Sequence, residues 1–135
     1  MLQMNKYGYG GPEEALYLQA YNLAESGHPT LLFSFESARI KLMKILMSHK
    51  LEINIDELDL SDNNTVSKFE KIMKELPAQL KYVDEVNLSA KEICNEISKN
   101  KTAYKITHVV FDRLNSKDIN AIEQFASNLG IKIKY

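Results

Sequence analysis

Apolar side chains recur along this chain with two different periods, and the switches between them mark out the elements. Over 13–26, Leu16, Ala20, Leu23 and Ala24 fall on one face of a helix. Pro12 suits its first turn, Glu13 and Glu14 sit at the positive end of its dipole, and Gly27 is its stop. Thr30–Phe35 is then a nearly unbroken apolar run, the pattern of a strand buried on both faces in a parallel sheet. Ser37 can cap a following helix to about Lys50, which turns Ile40, Met43, Leu46 and Met47 inward. Leu51–Leu60 is ambiguous: Leu51, Ile53 and Ile55 alternate like a strand, whereas Glu57 and Leu58 fit a helical turn, and a connector with a brief helical turn is the expectation. Val66, Phe69, Ile72, Met73 and Leu76 define a helix over 63–76, with Pro77 just beyond it.

The second half repeats the alternation. Leu80–Val83 reads as a strand, and Ser89 with Glu92 forms a capping-box pattern opening a helix to about Lys99. Ile106–Phe111 reads as a third strand ending at Asp112. Ser116 opens a helix that turns Ile119, Ile122, Phe125, Ala126 and Leu129 inward and stops at Gly130, and Ile131–Tyr135 alternates like a strand near the sheet edge. Strands separated by helices imply parallel pairing through right-handed crossovers. The expected fold is therefore a three-layer α/β domain with helices on both faces of a mainly parallel sheet. Without a repeat, a low-complexity stretch or an obvious linker, 1–135 reads as one domain.

Composition changes this picture little. A 26% charged fraction balanced to a net charge of −1 gives no global attraction to nucleic acid or membrane, and leaves only a local patch open. Cys94 is the sole cysteine, which excludes an internal disulfide and disfavours a Cys-based zinc site. No run approaches the ~20 apolar residues of a membrane span, and the simplest compartment is a reducing cytoplasm.

The succession of motifs resembles the RecA-like ATPase core of replicative helicases of the DnaB type. Leu23–Glu36 (LAESGHPTLLFSFE) looks like that family's second strand, with its G-x-x-V-L-F-F-S-L-E pattern. Leu80–Glu85 resembles its I-Y-I-D-D, Leu88–Ile93 its L-T-x-x-E-I/V helix opening, and Val109–Asp112 its Walker B strand. The likeness covers about 8–135 and rests mainly on order and spacing. It implies that Glu36 occupies the position of the catalytic glutamate and Asp112 that of the magnesium-ordering aspartate.

The departures bear more directly on function. No G-x-x-x-x-G-K-[ST] loop occurs; Pro12, Glu13 and Glu14 stand where the family has Gly-Lys-Thr, so the phosphate-holding lysine and the magnesium-binding hydroxyl are missing. Carboxylates at that helix N-terminus oppose a triphosphate. The reading is therefore a degenerate domain without ATPase activity, catalytic residues, cofactor or metal. Pro12, Glu13, Glu14, Glu36 and Asp112 are its vestigial Walker-type positions. Tyr7, Tyr9, Tyr17 and Tyr21, four tyrosines within fifteen residues, are either an interface or filler for the groove that a missing P-loop leaves. Arg39, Lys41, Lys44, His49 and Lys50 make the 38–50 helix basic, as a patch for DNA or a partner or as a solvated face. Neither a metal-binding spacing nor a Ser-His-Asp or Cys-His arrangement is found among His28, His49, His108 and Cys94.

The expected role is a non-catalytic protein that docks on a replicative helicase or another RecA-like hexamer, or on copies of itself, in replication of the phage or plasmid type. An atypical nucleotide site on Glu36 and Asp112, and a DNA-binding accessory, are the alternatives.

Overall fold

A computed structural model describes residues 12–34, 38–59, 61–83, 87–112, 114 and 116–135; for 12, 13, 38–43 and 73 only the backbone is described. The elements follow in the order α1 (Pro12–Glu25), β1 (Thr30–Ser34), α2 (Ala38–Leu51), a 3-10 turn (Ile55–Glu57), α3 (Asn63–Lys74), β2 (Leu80–Val83), α4 (Ala90–Tyr104), β3 (His108–Asp112), α5 (Ile119–Asn128) and β4 (Lys132–Lys134). The strands form one parallel sheet in the order β2-β1-β3-β4, so the two most apolar strands are central.

Strand alternation divides the core in two. Leu32, Val110 and Leu80 point to one face, where they pack with Tyr17, Leu18, Ala20, Tyr21 and Ala24 of α1 and Ile45 and Leu46 of α2. Leu31, Phe33, Val109 and Phe111 point to the other, against Ile93 and Ile97 of α4 and Ile122 and Ala126 of α5. On that second face the Phe33 and Phe111 rings stack with centroids 4.9 Å apart, tying the two central strands together. Helices on both faces of a parallel sheet are the expected three-layer architecture.

Local chemistry sets the element ends. Gly27 (φ 93°) and Gly130 (φ 73°) stop α1 and α5 in the left-handed region that glycine enters without penalty. Asp62 caps α3 by accepting from Asn64 N–H, and the Ser89–Glu92 capping box opens α4. Two boundaries differ from expectation. α4 runs to Tyr104 rather than Lys99, because no glycine or proline interrupts the sequence until Lys105 turns left-handed (φ 56°). α5 begins at Ile119, with Asp118 rather than Ser116 at its N-cap position and no side-chain cap.

Candidate functional site

Ser34 and Asp112 end the two central strands and are direct partners in the parallel register. Both lie on the face covered by α1. Where these strands end, α1 brings Tyr17 against them. The Tyr17 hydroxyl donates to Asp112 Oδ2 at 2.8 Å and lies 2.9 Å from Ser34 Oγ. All three side chains are buried: Tyr17 at 0%, Asp112 at 1% and Ser34 at 4% exposure. A hydrogen bond to a carboxylate is short and strong compared with a neutral one, and here it is screened from water. The carboxylate that closes β3 is thus turned toward a helix and held by a phenol.

One helical turn earlier on α1, Glu14 enters the same interior, since residues three apart share a face. Its partner comes from the end of α2: His49 Nε2 lies 3.1 Å from Glu14 Oε1, with the two side chains 3% and 1% exposed. A carboxylate can only accept, so the imidazole donates through Nε2–H. Burying either group alone is costly, and the pair exists because α1 and α2 deliver them together. Ser48, beside His49, returns its hydroxyl to Lys44 C=O at 2.9 Å, a common solution for a buried serine inside a helix.

The expected site residues separate into three groups. Glu36, Tyr7 and Tyr9 lie outside the described residues, as do the side chains of Pro12, Glu13, Arg39 and Lys41. Glu14, Tyr17 and Asp112 come together with Ser34 and His49 in one buried polar cluster. Tyr21, Lys44 and Lys50 lie elsewhere: Tyr21 is in the core at 2% exposure, Lys44 is half-buried, and Lys50 is exposed with its ammonium 5.1 Å from the Tyr21 ring centroid. Burial, followed by the Glu25 carboxylate, pushes the Tyr21 phenol above its ordinary value, and Lys50 partly offsets this.

Three expectations are corrected by these positions. Tyr17 and Tyr21 are not interface side chains of this domain; their rings pack against its own sheet, because the inward stripe of α1 includes them. Glu14 is not a solvent-facing charge at a helix mouth, since it is fully buried against His49. His49 in turn belongs to the interior rather than to a basic surface of α2, whose exposed charge there is Lys50. Sequence reasoning missed Ser34 and His49. A signal existed: Glu14 and Tyr17 lie three apart on the apolar stripe of a helix, and a buried carboxylate requires a donor from another element.

Among the described residues no group of three or more His, Cys, Asp or Glu is arranged to hold a metal ion. Cys94 is half-buried beside Ile93 and Ile97, and burial pushes its thiol above its ordinary value, which suits a packing residue more than a nucleophile.

No protein-family profile matches the chain, and no curated protein does. Among solved structures, the chain is similar to the ATPase domain of a DnaB-type helicase, with a TM-score of 0.63 at 15% sequence identity. The similarity covers 90% of this chain and 50% of that one, so the described fold corresponds to half of the larger domain. The chain therefore has the RecA-like α/β fold of a DnaB-type helicase ATPase domain, over about half of that domain's length.

Proposed function

We propose that this chain is a non-catalytic interaction protein that uses a helicase-like fold to dock on a RecA-like hexamer, regulating or inhibiting a replicative helicase. The observation that carries this reading is the engagement of Asp112. A Walker B-type aspartate serves catalysis when its carboxylate faces a metal–nucleotide complex in the crevice at the strand ends. Here it accepts the Tyr17 hydroxyl at 2.8 Å and is 1% exposed. Glu14, at the position that the resemblance gives to a phosphate-loop residue, is taken up by His49. Together with the absence of a G-x-x-x-x-G-K-[ST] sequence, this supports a degenerate Walker A region and a chain without ATPase activity. A retained core without the phosphate-binding loop suits a protein that imitates a subunit surface, and replication systems of phage or plasmid type are a natural setting.

The test is co-elution of the purified chain with a DnaB-type hexamer by size exclusion and light scattering. A stable complex, with altered ATPase or unwinding rate of the hexamer, is expected. Failure both to self-associate and to bind any RecA-like hexamer would sink the proposal. Nucleotide binding through Glu36 and Asp112 is the competing reading, and thermal unfolding with and without Mg²⁺-nucleotide separates the two.

A further inference from the structure

The opposite end of the sheet, where the strands begin, carries a group of side chains that the proposed function does not use. His28 follows the end of α1, and its imidazole meets that of His108 edge to face, with centroids 5.2 Å apart at 62°. His108 opens β3 in register with Lys132 of β4, and Val110 is in register with Lys134. Ile133 packs on the α4–α5 face, so strand alternation turns Lys132 and Lys134 to the other face, the one His108 shares with Val110 and Leu32. Both lysines and His28 are exposed, and His108 is half-buried.

This arrangement is built on fixed backbone. Pro29 C=O accepts from Thr107 N–H at 2.8 Å and His108 N–H at 3.3 Å, and Thr107 C=O accepts from Lys132 N–H at 3.0 Å. Three chain segments are thereby stitched together where the rings sit. Thr107 Oγ1 is 2.8 Å from His108 Nδ1 and donates to Pro29 C=O at 3.4 Å. Its lone pair therefore accepts from Nδ1–H, which leaves Nε2 of His108 as the ring position that gains or loses a proton.

The charge balance is one-sided. Burial, then His28, Lys132 and Lys134, hold the His108 imidazole below its ordinary value; every charged group acting on it is cationic. Among the described residues neither lysine is in an ion pair. Lysines on an edge strand guard against edge-to-edge pairing, which accounts for Lys132 and Lys134 alone. It does not account for two imidazoles packed beside them. A transition metal would suit a neutral histidine pair, but two ammonium groups on the same face oppose a cation. An anion meets the opposite situation: two fixed positive charges and two rings that become donors on protonation.

We propose that the face formed by His28, His108, Lys132 and Lys134 at the start of the strands is a binding site for a tetrahedral phosphate-type dianion, free or as a monoester. The doubly charged group sits between the Lys132 ammonium and the His108 ring, with Lys134 and His28 at its margins. Since the anion prefers imidazolium, binding tightens as pH falls through the histidine range, and by reciprocity the bound anion makes His108 easier to protonate.

Histidine ring-proton NMR titrations of the full chain test this, run in chloride, sulfate and inorganic phosphate at equal ionic strength. Sulfate keeps its charge across the range, so its effect reports on the protein. The expected result is an upward displacement of the His108 midpoint in sulfate and phosphate relative to chloride. A displacement of about one pH unit corresponds to roughly tenfold tighter binding to the protonated ring. In the Lys132→Ala/Lys134→Ala variant, whose exposed positions leave the fold intact by circular dichroism, the displacement should vanish. Equal midpoints in all three salts would overturn the proposal. So would a displacement that survives the double substitution, or one produced only by a thymidine oligonucleotide, which would show a polyanion surface rather than a dianion site.

Discussion

The two ends of the same sheet treat their polar side chains in opposite ways. Where the strands end, Asp112, Ser34, Tyr17, Glu14 and His49 are drawn under α1 and α2 and are less than a tenth exposed. Where the strands begin, His28, His108, Lys132 and Lys134 lie on an open face with like charges side by side. A buried polar group must find its partner inside the protein, and in finding it loses the freedom to bind anything else. Exposed charges carry no such obligation. The end that the resemblance marks as chemical is thus the closed one, and the end it leaves unmarked retains unmatched charge.

This contrast can be broken at several points. The largest effect is expected from His49→Leu, which leaves the Glu14 carboxylate buried without its imidazole. Removing one partner of a buried ionic pair costs about 3–5 kcal/mol, and urea unfolding would measure it. A loss below about 1 kcal/mol, as for a surface residue, would show that Glu14 reaches water. Next comes Tyr17→Phe, which keeps the ring and removes the hydroxyl shared by Asp112 and Ser34. A loss of about 1–3 kcal/mol is expected from the desolvated carboxylate. The variant doubles as a probe, because an Asp112 freed from its phenol is the form best able to engage a metal–nucleotide complex.

A smaller, pH-dependent effect belongs to the open end. The folded value for His108 lies below its ordinary 6.5, so the unfolded chain binds this proton more readily than the folded one. Its contribution to stability is therefore intact above the ordinary value and declines as pH falls through it. Unfolding midpoints in chloride should drop between about pH 7 and 5, and His108→Gln should flatten that part of the curve. An unchanged slope in the variant would mean that His108 titrates as it does in water. The smallest effect concerns Lys134→Ala alone: stability within about 0.5 kcal/mol of the parent, as for exposed positions generally, with the His108 midpoint moving slightly upward.

Much of the fold was legible in the sequence because burial imposes period. Thr30–Ser34 is continuous apolar sequence apart from its ends, and it became a central strand; Leu80–Val83 was found at its observed bounds. The alternation at Lys132–Lys134 marked an edge strand. Less legible were features decided by tertiary contacts. The reach of α4 to Tyr104 depends on a lysine accepting a left-handed conformation, which propensity does not announce. For the candidate site, the sequence singled out Glu14, Tyr17 and Asp112 separately, and for different reasons. That they meet follows from α1 lying across the ends of β1 and β3, and that His49 joins them follows from the α1–α2 contact. No spacing rule spans the 35 residues between Glu14 and His49, or the 95 between Tyr17 and Asp112.

The measurement that tests the central claim most directly is a thermal-unfolding scan with Mg²⁺-ATP and Mg²⁺-ADP, referenced to inorganic phosphate at matched ionic strength. Ligand that binds the folded state raises the midpoint by mass action, by about 2.7 kcal/mol of stability at a hundredfold excess over Kd. The account predicts no displacement beyond that given by phosphate, in the parent chain and in Asp112→Asn alike. A nucleotide-specific rise in the parent that disappears in Asp112→Asn would contradict it, placing a working nucleotide site at the closed end of the sheet.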